Sequence, residues 1–454
     1  MWMGEDAGMK RMFLLLATLL LATLLLLTTT AACGGGGRTQ APDSGGTSRG
    51  ENKNGKKTVV VSMLFLDEVF REAKKKFEQK HPDVEIRLTY VQTKDNWKEG
   101  DRVKFVKSTN TEMLSGKGPD VLVLDPLPMG KYASNNALAN LSGLMDQDPS
   151  FHKDLYFGNI LDNLSINGAL YGMPMRFILE TMVGDEGAVK KAGVRIDDNV
   201  WTWNEFAETA KAMKKNGSPA AYAASPPSLL NARVKADYPA FVDEPNRKAK
   251  FDQVSFIKLL NEVKALFDGN VMANKAADAS FKSIYIQNPE EFFSFPRALY
   301  KQPKLYRSPL AAGQKPGGFF LPYQTLGINE NSAVKTEAWA FIKFMLSDDI
   351  QDVKGLGGFP LNKDVYGRQL DQMLKNGKVK IEDGPEEGGT VDVNPADIEY
   401  QKQLISGLSH PIPTNTSMVE DALLIESKSF FAGQKSAEEA AKEIQDRVNA
   451  YLNE

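Results

Sequence analysis

Between residues 58 and 124 the apolar positions switch repeatedly between the spacing of a strand and that of a helix. This alternation constrains the fold more than any other feature of the chain. Thr58–Phe65 (TVVVSMLF) is β-branched and apolar, the composition of a buried strand. Residues 67–80 follow as a helix, with Val69, Phe70, Ala73 and Phe77 on one face and Lys74–Lys76 toward solvent. His81-Pro82 ends it, because a residue before proline avoids the helical region. Val84–Val91 alternates like a second strand, residues 97–114 read as a helix stopped by Ser115-Gly116, and Val121–Leu124 is a short buried strand. The order β-α-β-α-β predicts a largely parallel α/β sheet.

The rest of the body is read less sharply. Residues 185–192, 204–215 and 253–267 read as helices and 324–329 as a strand. Residues 334–346 form an apolar helix around Ala338, Trp339, Phe341, Ile342, Met345 and Leu346. The chain ends in a helix opened by a Ser436/Glu439 capping box, with Ile444, Val448, Tyr451 and Leu452 as its apolar stripe. Residues 376–397, rich in Gly, Pro, Asp and Glu, read as a long surface loop. Asp392, Asn394 and Asp397 within it lack the spacing of a calcium loop. No short-period repeat marks a solenoid or propeller.

Composition removes several classes of function. The 454 residues carry 55 basic and 58 acidic side chains, without the basic excess of a nucleic-acid binder. One cysteine excludes an internal disulfide, and three histidines are too few for a histidine-rich metal site. No metal and no cofactor are expected. Gly46–Gly50 (GTSRG) matches the nucleophile-elbow pattern by chance, since no strand precedes it in a low-complexity stretch. His81, His152 and His410 occur singly. The pairs Glu290-Glu291, Asp348-Asp349 and Glu386-Glu387 are adjacent, whereas catalytic carboxylates must face each other across a bond. No enzyme activity is expected.

Residues 12–27 (MFLLLATLLLATLLLL) are unbroken by charge or proline and follow Lys10-Arg11. A cationic start before an apolar run is a secretory signal pattern, and the run is shorter than the roughly 20 residues of a membrane-spanning helix. Small residues lead to Cys33, and a Gly- and Ser-rich stretch follows. The segment resembles a bacterial lipoprotein signal, with Thr30 where the pattern usually has Leu. That resemblance implies a signal peptide at 1–32, lipidation of Cys33 and a flexible tether at 33–56; the other reading is an ordinary cleaved signal with a free thiol. Glu5 and Asp6 are unusual in such a start, and initiation at Met9 gives Met-Lys-Arg.

Six further segments, in order, resemble extracellular solute-binding proteins of ATP-driven importers, family 1, the sugar-binding group. They are FREAKKKFEQKHPDVEIRL at 70–88, SGKGPDVLVLD at 115–125, YGMP at 171–174, KKAGV at 190–194 with TWNEF at 202–206, EAWAFIKFMLSDDIQ at 337–351 with GFPLNKDV at 358–365, and the tail at 430–454. The chain departs from that pattern between 270 and 300, where NPEEFFSFPRALY stands in place of the family's Ala-Ala-Met and Gly-Pro-Trp. The resemblance implies a two-lobed α/β periplasmic-binding-protein-like fold with a hinge and an interlobe cleft. Residues 57–174 and 320–357 would form lobe 1, and 175–319 and 358–454 lobe 2.

In open α/β sheets, ligands bind beyond the carboxyl ends of strands. This selects Phe65 and Asp67 after the first strand, with Asp67 equally suited to cap the next helix. It selects Asp125 after the third strand, where the family places sugar-contacting polar groups, while Asp120 reads as structural. Arg176 and Phe177 follow the crossover at Pro174; they suit a hydroxyl or ring contact, or else a hinge ion pair and a core phenyl. Tyr323 reaches the cleft or stays half-buried on the surface. Phe295 stacks on a sugar or packs inward with Phe292 and Phe293. Trp203 and Trp339 are expected in the core.

The expected function is a monomeric, lipid-anchored extracellular protein that captures a mono- or oligosaccharide. It would deliver that ligand to the permease transmembrane subunits of an ABC importer. The rival expectations are a secreted glycan hydrolase and a ligand-binding surface protein without a transporter.

Overall fold

The computed structural model describes residues 55–453, except 94–95, 99, 218–219, 245, 275–278, 354–355 and 383–385. The signal peptide expected at 1–32, Cys33, and the expected tether up to residue 54 lie outside the described residues. β1 (Lys57–Phe65) runs parallel to β2 (Val84–Gln92) and β3 (Val121–Val123), with Val61 opposite Leu88 on one side and Val121 on the other. Between them α1 (Glu68–Lys80) buries Val69, Phe70, Ala73 and Phe77, the face that the spacing predicts. His81 ends α1 by donating its N–H to the Phe77 carbonyl and stacking its ring on that of Phe77 at 4.2 Å. α2 (Asp101–Leu114) begins later than the predicted 97, because Gly100 sits in the left-handed region at φ 81°.

β2 is an outer strand. The Glu78 carboxylate accepts the Ile86 N–H at 2.7 Å, and the Lys74 ammonium donates to the Ile86 carbonyl at 2.6 Å. These side chains occupy backbone groups that an open edge would offer to another chain.

Beyond β3 the chain adds β4 (Met173–Asp185), β5 (Tyr222–Ala223), β6 (Met272–Ala273), β7 (Phe281–Ile286), β8 (Pro303–Tyr306), β9 (Gly318–Ile328), β10 (Phe359–Pro360) and β11 (Leu408–Pro411). Among the described residues the main sheet has eleven strands in the order β2-β1-β3-β9-β4-β7-β5-β6, with β8 and β10 on β4 and β11 on β9. The sheet is less parallel than the opening alternation predicts, since β9 is antiparallel to both β3 and β4, and β7 to β4. The strand predicted at 324–329 starts at Gly318, because its first half pairs with both β4 and β11.

Two large cores flank these strands. The first joins Val59, Val61, Phe70 and Phe77 to the helix at Lys335–Met345 and runs across β4 and β9 to residues 359–408. The second is built from α3 (Trp203–Lys215), α4 (Pro226–Ala236), α5 (Val254–Asp268), α11 (Ser417–Phe431) and α12 (Ala437–Asn453). Between these in sequence come α6 (Glu291–Leu299), α7 (Lys335–Met345), α8 (Asp348–Gln351), α9 (Lys363–Asn376) and α10 (Pro395–Ser406). Strand alternation sends Phe177, Leu179 and Val183 of β4 into the first core and Met182 into the second.

Trp203 and Trp339 are buried as expected. The Trp339 indole N–H donates to Asp148 at 2.8 Å, and the neighbouring Lys343 holds that carboxyl well below its usual range. α12 opens with the Ser436/Glu439 capping box, at 2.8 and 3.1 Å. The loop predicted at 376–397 holds a hairpin of Lys378–Lys380 with Thr390–Asp392, and Asn394 caps α10. Three-residue strands that each bury little leave no periodic signal.

Asp120 is structural as read: one carboxylate oxygen accepts the Val60 N–H at 2.9 Å and the other the Ser332 hydroxyl at 2.7 Å. Asp120→Ala leaves two donors without partners. It is expected to cost about 2–4 kcal/mol in a urea unfolding titration, with the slope of the transition unchanged.

Candidate functional site

The carboxyl ends of β1 and β3 open into a cleft of about 390 Å³. Phe65 and Asp67 line it from β1, Arg102 from α2, Asp125 and Pro126 from β3, and Tyr323 and Gln324 from β9. The opposite wall carries Lys235 of α4, Pro413 and Thr414. α4 packs in the second core and β1 in the first, so the walls come from separately packed bodies. A larger open groove, about 720 Å³, lies between α1 and β2, but the first body alone forms it. Lys74 and Glu78, which line that groove, are tied to Ile86. The cleft is therefore the candidate site. Among the described residues no cluster of His, Cys, Asp and Glu is arranged to hold a metal.

Four of the residues read from sequence meet in this cleft: Phe65, Asp67, Asp125 and Tyr323. Phe65 is 45 % exposed, an apolar ring presented to solvent at the rim. Asp67 accepts the Val69 N–H with one oxygen at 3.2 Å, which caps α1, and the Gln324 amide with the other at 2.8 Å. Asp125 accepts the backbone N–H groups of Gln324 and Thr325 at 2.9 and 3.0 Å. Burial pushes its carboxyl up to about 6, and those N–H groups partly oppose the rise. The Tyr323 hydroxyl is pushed above its usual value by burial and by the negative charges of Asp67 and Asp125.

Three others sit elsewhere. Arg176 is 3 % exposed on β4, donating to the carbonyls of Gln351 at 2.6 Å and Gly358 at 3.1 Å. Burial lowers its guanidinium to about 10, against the opposing pull of Asp67, Tyr323 and Asp352. A Cβ on Gly358, whose φ is 89°, would lie 2.7 Å from the Arg176 Cβ, so only glycine lets β10 close on β4 here. Phe177 has no exposed surface and stacks on Phe359 at 5.5 Å. Phe295 of α6 packs against the first core with Phe292 and Phe293. Alternation along β4 turns Phe177 away from the cleft, and the apolar face of α6 does the same for Phe295.

Gln324 was not singled out by sequence, yet it organises the cleft. Its φ of 53° is costly for a residue with a Cβ. That turn swings its N–H out of the ladder with β4 and onto Asp125, while its amide reaches Asp67. Arg102, Lys235 and Thr414 were missed as well, because nothing local marks a helix residue that faces a distant loop.

The fold and the cleft define a two-lobed binding protein, with ligand space between two α/β bodies. Residues 63–352 match the family model of bacterial extracellular solute-binding proteins, and the chain belongs to that family. It is similar to solved structures of three such proteins. An ABC substrate-binding protein of Listeria monocytogenes in complex with cycloalternan is 15 % identical, covers 88 % of this chain and 100 % of its own, and has a TM-score of 0.53. A family 1 extracellular solute-binding protein of Alicyclobacillus acidocaldarius is 16 % identical, with 90 and 100 % covered and a TM-score of 0.56. An ABC transporter solute-binding protein of Thermotoga lettingae bound with alpha-D-tagatose is 18 % identical, with 87 and 100 % covered and a TM-score of 0.51.

A pH effect follows from Asp125. Its carboxyl holds a proton more tightly folded than unfolded, so its contribution to stability is greatest below pH 3.8. That contribution is lost as pH rises toward about 6. Asp125→Asn removes this slope. The stability advantage of the wild type over the variant is expected to shrink across that window in denaturant titrations. A gap that stays constant with pH would contradict the assignment.

Proposed function

We propose that this protein is the membrane-anchored extracellular solute-binding subunit of an ATP-driven importer. It captures a carbohydrate by hinge closure and hands it to the permease transmembrane subunits. The observation that carries this reading is the cleft itself, whose walls belong to two cores while β4 and β9 run between them. Closing such a cleft buries the ligand and forms a composite rim that a membrane partner can read. In this reading the two bodies move against each other by bending at the crossing strands β4 and β9.

The carbohydrate assignment draws support from the saccharides bound by two structural relatives and from the composition of the walls. The phenyl face of Phe65, the phenol of Tyr323 and the polar heads of Arg102, Lys235 and Thr414 combine ring faces with hydroxyl partners. The protein works as a binder and leaves its ligand unchanged. Among the described residues no helix is long and apolar enough to cross a membrane. In this reading the attachment comes from lipid on Cys33.

Two measurements test the proposal. Thermal unfolding of the purified protein with mono- and oligosaccharides, amino acids, peptides and polyamines is expected to shift with one saccharide series. A hundredfold excess over the dissociation constant stabilises by about 2.7 kcal/mol, and Phe65→Ala and Tyr323→Ala reduce the shift without lowering the unliganded midpoint. A shift with a non-saccharide class alone overturns the carbohydrate assignment, and release of a shortened glycan overturns pure binding. Separately, Cys33→Ser is expected to move the protein from the membrane fraction to the soluble fraction, while intact mass of the wild type shows acyl chains.

A further inference from the structure

Resting on the carbohydrate reading above, we infer that the cleft selects a saccharide bearing a negatively charged group, a uronic acid, whose carboxylate is taken by Arg102 and approached by Lys235. The two cations and two carboxylates that line the cleft balance in charge, but their hydrogen bonding does not balance. Asp67 and Asp125 already accept from Val69, Gln324 and Thr325, so their oxygens are engaged in holding β9. Arg102 is the reverse case. Among the described residues its guanidinium lines the cleft without an ion-pair partner, and its Nε is buried with no acceptor.

A buried charged donor without an acceptor is a costly arrangement that a ligand can relieve. The forked guanidinium matches a carboxylate with two parallel bonds, which a hydroxyl cannot supply. The far wall has the same bias. Lys235 points into the cleft from α4, oriented by its ion pair with Glu420 at 2.9 Å. Asn415, beside the cleft residue Thr414, has a buried amide nitrogen with no acceptor. Donors therefore converge from both walls, while the acceptors are committed to the scaffold.

The test compares sugars that differ only at the acidic carbon. Calorimetric titration of the purified protein would use D-glucuronate and D-galacturonate and their oligomers. The controls are glucose, galactose and the matching neutral oligomers, at low and at physiological salt. The expected result is an acidic sugar bound at least about tenfold more tightly than its neutral twin, with the margin narrowing as salt rises. Arg102→Gln abolishes the margin and Arg102→Lys restores part of it, while neither variant melts below the wild type without ligand. A neutral twin bound as tightly as the acid, or a margin untouched by Arg102→Gln, overturns the inference and leaves the carbohydrate reading standing. No binding of any acidic sugar overturns the inference, and the saccharide panel above then decides the carbohydrate reading separately.

Discussion

The antiparallel pairing of β4 with β9 is the constraint on which the rest depends. Their register runs from Met173 opposite Leu326 to Glu180 opposite Phe319, interrupted at Gln324. One strand enters the second body and the other returns from it, so these two crossings run in opposite directions. Opposite directions make the mixed sheet unavoidable even though the first three strands are parallel. β4 also carries β7, β8 and β10, and that is why almost all of its residues are buried. A strand covered on both faces and both edges has little freedom except to bend as a unit.

The cleft is held open by polar groups tied to that pairing. Asp125 takes two backbone N–H groups of β9, and Asp67 takes the Gln324 amide, so the end of each parallel strand is fastened to the crossing strand. Arg176 does the equivalent on the other side, joining β4 to α8 and to the glycine turn before β10. These side chains spend their hydrogen-bonding capacity on shape. In the proposed function, recognition falls to groups with capacity to spare: the exposed ring of Phe65, the phenol of Tyr323, and the cations of Arg102 and Lys235.

The legible part of the site follows one rule, that ligand space lies past the carboxyl ends of parallel strands. Phe65, Asp67 and Asp125 are each within two residues of such an end, and Tyr323 precedes Gln324 on the crossing strand. Arg176 and Phe177 also neighbour the crossover, but whether they face the cleft turns on what packs against β4. Phe177 is claimed by Phe157 and Phe359. Lys235 is 110 residues beyond Asp125 in the chain and meets it only across the cleft. The positive φ of Gln324 is likewise invisible, since glutamine is not a residue that advertises a left-handed turn.

The sequence by itself determined the local elements. The apolar faces of α1 and α7, the caps at Asp67 and Ser436, and the β-α-β-α-β order are short-range consequences of side-chain spacing, and they bring the strand ends to one side of the sheet. Tertiary structure alone decided which polar groups remain available there. Availability depends on partners distant in sequence: Asp125 is occupied because Thr325 arrives beside it, and Arg102 is left over because no carboxylate among the described residues does. Hydrogen bonds between segments hundreds of residues apart have no period or composition to betray them, so the binding chemistry of the cleft became readable only once the chain was folded.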